Sequence, residues 1–148
     1  MIMLLLLFLP SVLSYNPYRY DQTVPQFTPD GRLLQVEYAI TSSSSQSAPI
    51  VAIELEDNLL LLATTCKSSF ERLIVFENSV VIARSGVLPD SMYVLKHVVD
   101  EYINDLKLFK RNKPVTAADV SNTIADLCQR HAFGGGLRAI GCSFWVVD

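Results

Sequence analysis

The chain has 148 residues and half of them are hydrophobic, so it is long enough to bury the core of one domain. It carries 12 basic and 15 acidic residues, a net charge of −3, and without a basic cluster this balance argues against nucleic acid as a partner. Cys66, Cys128 and Cys142 are odd in number and lack Cys-x-x-Cys spacing, so we expect no disulfide framework, no metal site and no cofactor.

The first 14 residues form an apolar segment that conflicts with the rest of the chain. Met1 to Leu9 is almost wholly aliphatic, and Pro10 interrupts the run. The run is too short to cross a bilayer as a helix, and no Lys or Arg precedes it, but Ser14 could close a signal-peptide cleavage site. Two interpretations stay open: residues 1–14 are signal-like, or they are spurious sequence joined to a real domain.

A helix is predicted to begin at Thr28, within residues 15–47. Thr28 can accept a hydrogen bond from the first backbone N–H groups, and Pro29 suits the first helical position. The Ser-rich run from Thr41 to Ser47 should then end the helix as a surface loop, because serine side chains compete for backbone hydrogen bonds. Apolar residues at helical spacing predict one buried face, which would contain Leu33, Val36 and Ile40.

Two β-hairpins are predicted at the start of residues 48–148. In the first, residues 50–56 alternate apolar and acidic side chains, and the strand from Leu59 to Thr65 should be its more buried partner. Asp57-Asn58 suits the turn between them. The apolar face of the first strand would contain Val51, Ile53 and Leu55. The second hairpin would join Leu73–Phe76 to Val80–Arg84 across a turn at 77–79.

Two amphipathic helices and a last strand follow. The first helix should start at Pro89 and bury one face, made of Met92, Leu95, Val99, Tyr102, Leu106 and Phe109. The second should start at a capping box formed by Thr116 and Asp119, end at Gly134, and bury Val120, Ile124 and Leu127. A strand over residues 140–147 completes the order. Segregated strands and helices of this kind predict an α+β architecture with largely antiparallel sheets.

Local motifs predict no catalytic residue. Gly134-Gly135-Gly136 follows a helix instead of opening one, which favours a helix terminator over a phosphate-binding loop. Cys128 and His131 lie at i and i+3 on the apolar face, and we interpret them as core or rim residues. No serine is surrounded by the Gly-x-Ser-x-Gly pattern of a nucleophile elbow.

The stretch from Tyr20 to Ala39 carries a pattern that periodicity does not require. Tyr20-Asp21 is followed by Phe27-Thr28-Pro29-Asp30-Gly31-Arg32-Leu33-Leu34-Gln35-Val36-Glu37-Tyr38-Ala39. This pattern closely resembles the N-terminal signature of proteasome alpha subunits, and weaker matches continue to Leu137–Phe144. The resemblance implies a four-layer α+β sandwich, in which helices flank two antiparallel sheets, and it implies that the chain is incomplete at its C-terminus.

The resemblance also implies a function. The chain would be a non-catalytic alpha-ring subunit of the 20S proteasome, serving ring assembly, pore gating and regulator docking in ubiquitin-dependent protein degradation. Its partners would be other alpha subunits, beta subunits and regulatory particles in cytoplasm and nucleus, with no nucleic acid, and no membrane unless Met1 to Leu13 is a targeting segment. Residues 15–47 would hold the gate segment, helix and Ser-rich loop, and residues 48–148 a partial proteasome-subunit domain.

The resemblance assigns roles to single residues. No catalytic residue is expected, because Ala48 and Thr64 stand near the positions where active beta subunits have the Thr nucleophile and its supporting Asp. Three departures weaken the expectation of regulator docking: Gln22 replaces an Arg, Thr65 stands where a pocket Lys is expected, and Ala139 replaces a Pro. The gate and interface residues would be Tyr20, Asp21, Pro29, Gly31, Arg32, Gln35, Glu37 and Tyr38.

Two other functions stay open from the residues alone. One is an exported or membrane-tethered binding protein that reuses part of the fold, with residues 1–14 as its secretory route. The other is an active threonine hydrolase, which would need a Thr freed at the start of a strand. The residues at those positions disfavour the second.

Overall fold

The computed structural model describes residues 20–55, 59–64, 71–76, 80–109, 114–134 and 137–148, with only the backbone at 54–55, 59–63 and 106–109. In chain order the elements follow the prediction: a helix, two hairpins, two helices and a strand. They are α1 (Leu34–Ser45), β1 (Ile50–Leu55), β2 (Leu59–Thr64), β3 (Leu73–Phe76), β4 (Val80–Gly86), α2 (Leu88–Phe109), α3 (Ala117–Phe133) and β5 (Cys142–Val147).

The strands form two antiparallel sheets within the described residues. One pairs β1 with β2, and the other has the order β3-β4-β5, so that β4 lies in its centre. Ile82 of β4 is paired with Ile74 on one side and Val146 on the other. The predicted α+β class with antiparallel sheets is therefore confirmed, while the turns predicted at residues 57–58 and 77–79 lie outside the described residues.

The core lies between the three-stranded sheet and the two long helices. Burying aliphatic side chains of this kind stabilises a fold by about 1.5–3 kcal/mol each. Val80, Ile82 and Val94 are fully buried, and they are the largest side chains in that state. Around them pack Val98 of α2, Val115, and Val120, Ile124 and Leu127 of α3. The capping box of Thr116 and Asp119 and the buried face predicted for α3 are thus confirmed.

The buried face of α2 differs from the predicted one. Met92 is 49% exposed and Val99 38%, while Val94 and Val98 are buried. The helix is therefore rotated about its axis relative to the prediction. The first turn of α2 explains the rotation, because polar contacts of Asp90 and Ser91 hold both of these side chains in the interior. Leu95 and Tyr102 do pack against the core, as predicted, and the side chains of Leu106 and Phe109 lie outside the described set.

The predicted start of α1 at Thr28 is wrong. Residues 28–31 instead form a turn, in which the N–H of Gly31 donates to the Thr28 carbonyl at 2.9 Å. Proline after the first residue and glycine at the fourth are typical of such a turn. Gly31 has a φ of +78°, a conformation that interrupts a right-handed helix. The helix therefore begins three residues after this glycine, at Leu34.

The predicted loop from Thr41 to Ser47 is also wrong, because α1 continues to Ser45. Hydroxyl groups in the run donate to carbonyls of the preceding turn, as Thr41 does to Glu37 at 2.9 Å and Ser44 to Ile40 at 3.0 Å. These bonds satisfy the hydroxyls without breaking the helix.

The face predicted for α1 is confirmed only in part, because Leu33 and Val36 are half-buried but Ile40 is not. Ile40 is 61% exposed, and the buried residues of the helix are Leu34 and Ser43. Ser43 lies where α1 comes closest to the sheet, with its hydroxyl 3.2 Å from that of Ser143 on β5. A small polar side chain fits this contact, and Ser43 lies two turns after the half-buried Val36, so hydrophobic periodicity missed Ser43 because it is polar.

The strand β1 is confirmed, but the face predicted to be buried is not. Val51 is 52% exposed and Ile53 47%, because no described element covers this side of the two-stranded sheet. The side chain of Leu55 lies outside the described set. The segment before β1 is attached to the other sheet by Ser85, whose hydroxyl donates to the Ala48 carbonyl at 2.9 Å.

The last strand begins at Cys142, two residues later than predicted. Gly141 is held outside the ladder, because its N–H donates to the Asp90 carboxylate and its carbonyl accepts from Val87. Cys128 and Cys142 are half-buried free cysteines beside the core, which agrees with a core or rim role for Cys128. Burial raises the pKa of the Cys142 thiol to about 12, so this thiol is inert near neutral pH.

Substitution of Gly86 by Ala should destabilise the fold strongly. An added Cβ would lie 2.8 Å from both the Gly141 carbonyl oxygen and the Ser43 hydroxyl, and the φ of +97° already disfavours a side chain. We expect a loss of about 3 kcal/mol in the free energy of unfolding, measured by urea denaturation. Gly31→Ala is the matched control, because it shares a positive φ but has open space around the added Cβ.

The control variant should lose only about 1 kcal/mol. Equal losses at the two glycines would show that α1 does not approach the sheet as closely as described.

Candidate functional site

The turn at residues 28–31 leads into an ion pair at the start of α1. Arg32 donates through Nε to Oε1 of Glu37 at 2.8 Å and through a second nitrogen to the other carboxylate oxygen. This hydrogen-bonded partner lowers the pKa of the Glu37 carboxyl. Because both side chains are well exposed, the pair contributes little stability and mainly orients the helix start.

A second contact ties the segment before the turn to α1. The side-chain amide of Gln35 donates to the backbone carbonyl of Asp21. The predicted site residues Asp21 and Gln35 are therefore brought together, although through the main chain of Asp21 and not through its carboxylate. Gly31 and Arg32 are placed by the same turn, whose second hydrogen bond joins the Arg32 N–H to the Thr28 hydroxyl at 3.0 Å.

Tyr38 and Pro29 lie on the outer side of this substructure. Tyr38 is 49% exposed, and its side chain makes no hydrogen bond within the described part of the chain. Phe27, before the turn, and Ile40, two residues further along α1, are also exposed, at 53% and 61%. The structure thus holds the polar members of the predicted site by internal contacts and leaves large apolar groups facing outward. Tyr20 is half-buried and has a contact of its own.

The position of α1 depends on a buried carboxylate in a different part of the chain. Asp90, in the first turn of α2, has a side chain that is only 4% exposed. It accepts hydrogen bonds from both terminal nitrogens of Arg138, one of them at 2.8 Å, and from the N–H of Gly141 at 2.9 Å. We call this set of three residues the Asp90 clasp.

The clasp shifts the pKa values of its two charged residues, Asp90 and Arg138. The Arg138 hydrogen bonds, and with them the Gly141 N–H, hold the pKa of the Asp90 carboxyl below its ordinary value, against the opposing effect of burial. The same bonds raise the pKa of Arg138. Asp90 is therefore fully ionised at neutral pH, and its charge is matched by a guanidinium group.

The clasp also brings α1 against the sheet. It holds Gly141 in place, and a Cβ at Gly141 would lie 3.4 Å from the Ala39 carbonyl of α1. Sequence reasoning did not give Asp90 and Arg138 a role in the site, although both fall in segments that resemble the alpha-subunit pattern. The two residues are 48 positions apart, so no local pattern signals a charge pair.

His131 lies at the rim of the clasp. Its Nδ1 is 3.0 Å from the Arg138 carbonyl oxygen, and its Nε2 is 3.2 Å from the Tyr93 hydroxyl. These partners connect the end of α3 to α2 and to the segment before β5. The interpretation of His131 as a rim residue agrees with these contacts.

The positions compared with a hydrolase active site carry no acid–base groups. Ala48 offers only a methyl group, and the Thr64 hydroxyl donates to the Pro49 carbonyl at 3.0 Å. In the part of the chain that the structure covers, no group of three or more His, Cys, Asp or Glu side chains is arranged to hold a metal ion. The helices described there are also too short or too polar to cross a membrane.

Comparisons with known proteins agree with the N-terminal pattern. A family model that describes the N-terminal signature of A-type proteasome subunits matches residues 20–41. The proteasome alpha subunit of Archaeoglobus fulgidus is 27% identical over 135 residues, which cover 86% of this chain and 53% of that protein. The alpha type-4 proteasome subunit of Dictyostelium discoideum is 30% identical over 135 residues, with 85% and 53% covered.

The alpha type-3 proteasome subunit of Saccharomyces cerevisiae is 29% identical over 134 residues, with 85% of this chain and 51% of that protein covered. The similarity therefore extends far beyond the N-terminal signature and includes both archaeal and eukaryotic proteins. The chain spans about half the length of the curated relatives it matches.

The Asp90 clasp should make stability depend on pH. The pKa of Asp90 is lower in the folded chain, so its contribution is complete above the unfolded value of about 4 and is lost as pH falls through the folded value. We expect Asp90→Asn to lose about 2 kcal/mol in the free energy of unfolding at pH 7, measured by urea denaturation. The difference from the parent chain should shrink below about pH 4.

Asp100→Asn is the control, because Asp100 is an exposed carboxylate on the same helix. Its unfolding free energy should stay close to that of the parent chain throughout. A loss of unfolding free energy in Asp90→Asn that does not depend on pH would show that the carboxylate charge does not stabilise the clasp.

Proposed function

We propose, from the premise that this chain is a relative of proteasome alpha subunits, that it acts as a non-catalytic alpha-ring subunit of the 20S proteasome. Its role would be ring assembly, gating of the axial pore and docking of regulators in ubiquitin-dependent protein degradation. The observation that carries this proposal is the ordered signature segment, where Arg32–Glu37 and Gln35–Asp21 contacts fix α1 and leave Tyr38 outward.

The outward side of α1 is suited to contact with another protein of the ring. On α1, Tyr38 is 49% exposed, and a large aromatic group on a rigid element is typical of protein interfaces. In a ring, each subunit meets its neighbour through two different surfaces. We therefore assign this side to contacts between adjacent alpha subunits, with beta subunits and regulatory particles as further partners, in cytoplasm and nucleus.

The absence of catalysis follows from the chemistry of two positions. A threonine hydrolase needs a Thr whose own amine is free and which is supported by an acid and a base. Ala48 has no nucleophilic atom, and the Thr64 hydroxyl has no charge and is engaged with a carbonyl. The proposed subunit therefore contributes no active site, and Thr65, in place of a pocket Lys, makes regulator docking the weakest part of its proposed role.

The proposed fold is the four-layer sandwich. On the three-stranded sheet, the side away from α2 and α3 exposes Val75 (66%) and Trp145 (51%). On β1, Val51 and Ile53 are exposed in the same way. In the proposed sandwich these exposed faces would be covered, because apolar faces of antiparallel sheets favour packing against one another at a separation of about 10 Å. Such packing would place both sheets between helical layers.

The first test is recovery of the protein from its own cells. A tagged chain should be isolated from cytosolic and nuclear fractions in a particle of proteasome size, together with other alpha and beta subunits. A threonine-directed covalent inhibitor should label beta subunits of that particle and leave this chain unlabelled, because Ala48 offers no nucleophile. Native gels and mass spectrometry give both results. A labelled Thr in this chain, or its recovery only from a secretory fraction, would contradict the proposal.

The second test concerns Tyr38. If this side chain acts across the interface between subunits, Tyr38→Ala should change regulator-stimulated peptide hydrolysis by the assembled particle several-fold, on the order of 1 kcal/mol of gate stabilisation. Assembly should remain nearly intact. Phe133→Ala is a control, because Phe133 is an aromatic residue with a similar exposure, 53%, but lies at the end of α3.

Tyr38→Phe separates the ring from the hydroxyl group, since only the ring is retained. Loss of assembly by Tyr38→Ala without any change in gating would show that Tyr38 is a structural residue. Equal changes in Phe133→Ala would show that loss of any exposed aromatic residue produces the effect.

A further inference from the structure

Two arginines lie directly opposite each other at the end of the β3–β4 ladder. Leu73 is paired with Ala83, and one step further the N–H of Arg84 donates to the Arg72 carbonyl at 2.9 Å. Residues paired in this way project their side chains from the same face of the sheet. Like charges at such positions are destabilising unless something offsets them.

The guanidinium of Arg84 is buried, with the residue only 4% exposed. Its Nε and one terminal nitrogen donate to the Glu71 carbonyl at 3.0 and 2.7 Å, and the other terminal nitrogen donates to the Ser91 hydroxyl at 3.1 Å. A guanidinium has five N–H groups, so these three hydrogen bonds do not use all the donors of Arg84. Burial, and then the charge of Arg72, lower the pKa of Arg84, with partial compensation from Glu71.

Arg72 adds an unsatisfied donor. Its Nε is buried and has no hydrogen-bond partner within the described part of the chain. A buried donor without a partner costs about 1–3 kcal/mol, and native proteins rarely leave such a group without a reason. A purely structural role for Arg84 explains its own three hydrogen bonds but not the unpartnered nitrogen beside it.

Both arginines line one cavity of about 260 Å³. Its other walls include Ser85, Ser91 and Leu88, so the cavity adjoins the first turn of α2, a helix of 22 residues. The N-terminus of a helix adds positive potential, and the negative charge of Asp90 in that turn is already matched by Arg138. The volume is below the roughly 300 Å³ at which pockets for drug-sized ligands begin, which restricts the occupant to a small group.

We propose that this cavity binds a small tetrahedral oxyanion, of which inorganic phosphate is the simplest. Two guanidinium groups and the start of α2 border the cavity, and a tetrahedral anion can accept from more directions than a planar carboxylate. Arginine is the residue best suited to bidentate contact with phosphate. An anion there would offset the repulsion of the two arginines and satisfy the buried Nε of Arg72. This inference is independent of the role in ring assembly.

The test is a titration of the whole chain with potassium phosphate by isothermal calorimetry, with potassium chloride used to keep ionic strength constant. We expect saturable binding of one phosphate, and acetate at the same concentrations should bind about ten times more weakly. Arg72→Gln should reduce phosphate affinity about 10-fold or more, which corresponds to about 1.4 kcal/mol. Arg130→Gln is the matched control, because Arg130 is an exposed arginine that contacts His97 outside the cavity.

Thermal unfolding gives a second readout. Phosphate should raise the unfolding midpoint of the parent chain and of Arg130→Gln but not of Arg72→Gln. Arg84→Lys keeps a positive charge in the buried position, so it tests the guanidinium with less risk to folding; circular dichroism verifies that it folds. Any one of four results would overturn the proposal: a calorimetric signal that does not saturate, an unchanged phosphate affinity in Arg72→Gln, an equal loss of phosphate affinity in Arg130→Gln, or acetate binding as tightly as phosphate.

Discussion

The buried carboxylate of Asp90 is the constraint on which the rest of the structure depends. It fixes the first turn of α2, the segment before β5 and, through Gly141, the place where α1 meets the sheet. A carboxylate that is 4% exposed must be compensated by hydrogen bonds to its charged form. Arg138 and the Gly141 N–H provide that compensation, so the three segments are linked by one requirement. The rotation of α2, which places Val94 and Val98 in the core, follows from the same turn.

The close approach of α1 to the sheet explains the composition of a segment that otherwise looks like a loop. Gly86 has no room for a side chain without displacement of neighbours, and Ser43 is the small residue of α1 that faces it. Serines tolerate the helix because their hydroxyls bond back to its carbonyls. A low hydrophobic content is therefore compatible with a packed helix here, since the contact is made through backbone and small polar atoms.

Local patterns predicted the elements better than their faces. The strands, the capping box at Thr116 and the family signature could be identified from neighbouring residues, because alternation, capping and ordered identity are all local properties. The start of α1 was missed because Gly31 adopts a positive φ. The exposed side of α2 was missed because Asp90 finds its partner 48 residues away, at Arg138. Polar contacts at long sequence separation thus set helix rotation, and hydrophobic spacing does not record them.

The two sides of the first turn of α2 present opposite electrostatic situations. On one side the positive charge of Arg138 meets the carboxylate of Asp90, and on the other Arg72 and Arg84 face a cavity with carbonyl and hydroxyl partners. Gln46, the residue that ends α1, also lines this cavity. An anion bound in this cavity would therefore lie against both the start of α2 and the end of α1. The arginine pair and the clasp therefore contact the same turn of α2, Arg84 through Ser91 and Gly141 through Asp90.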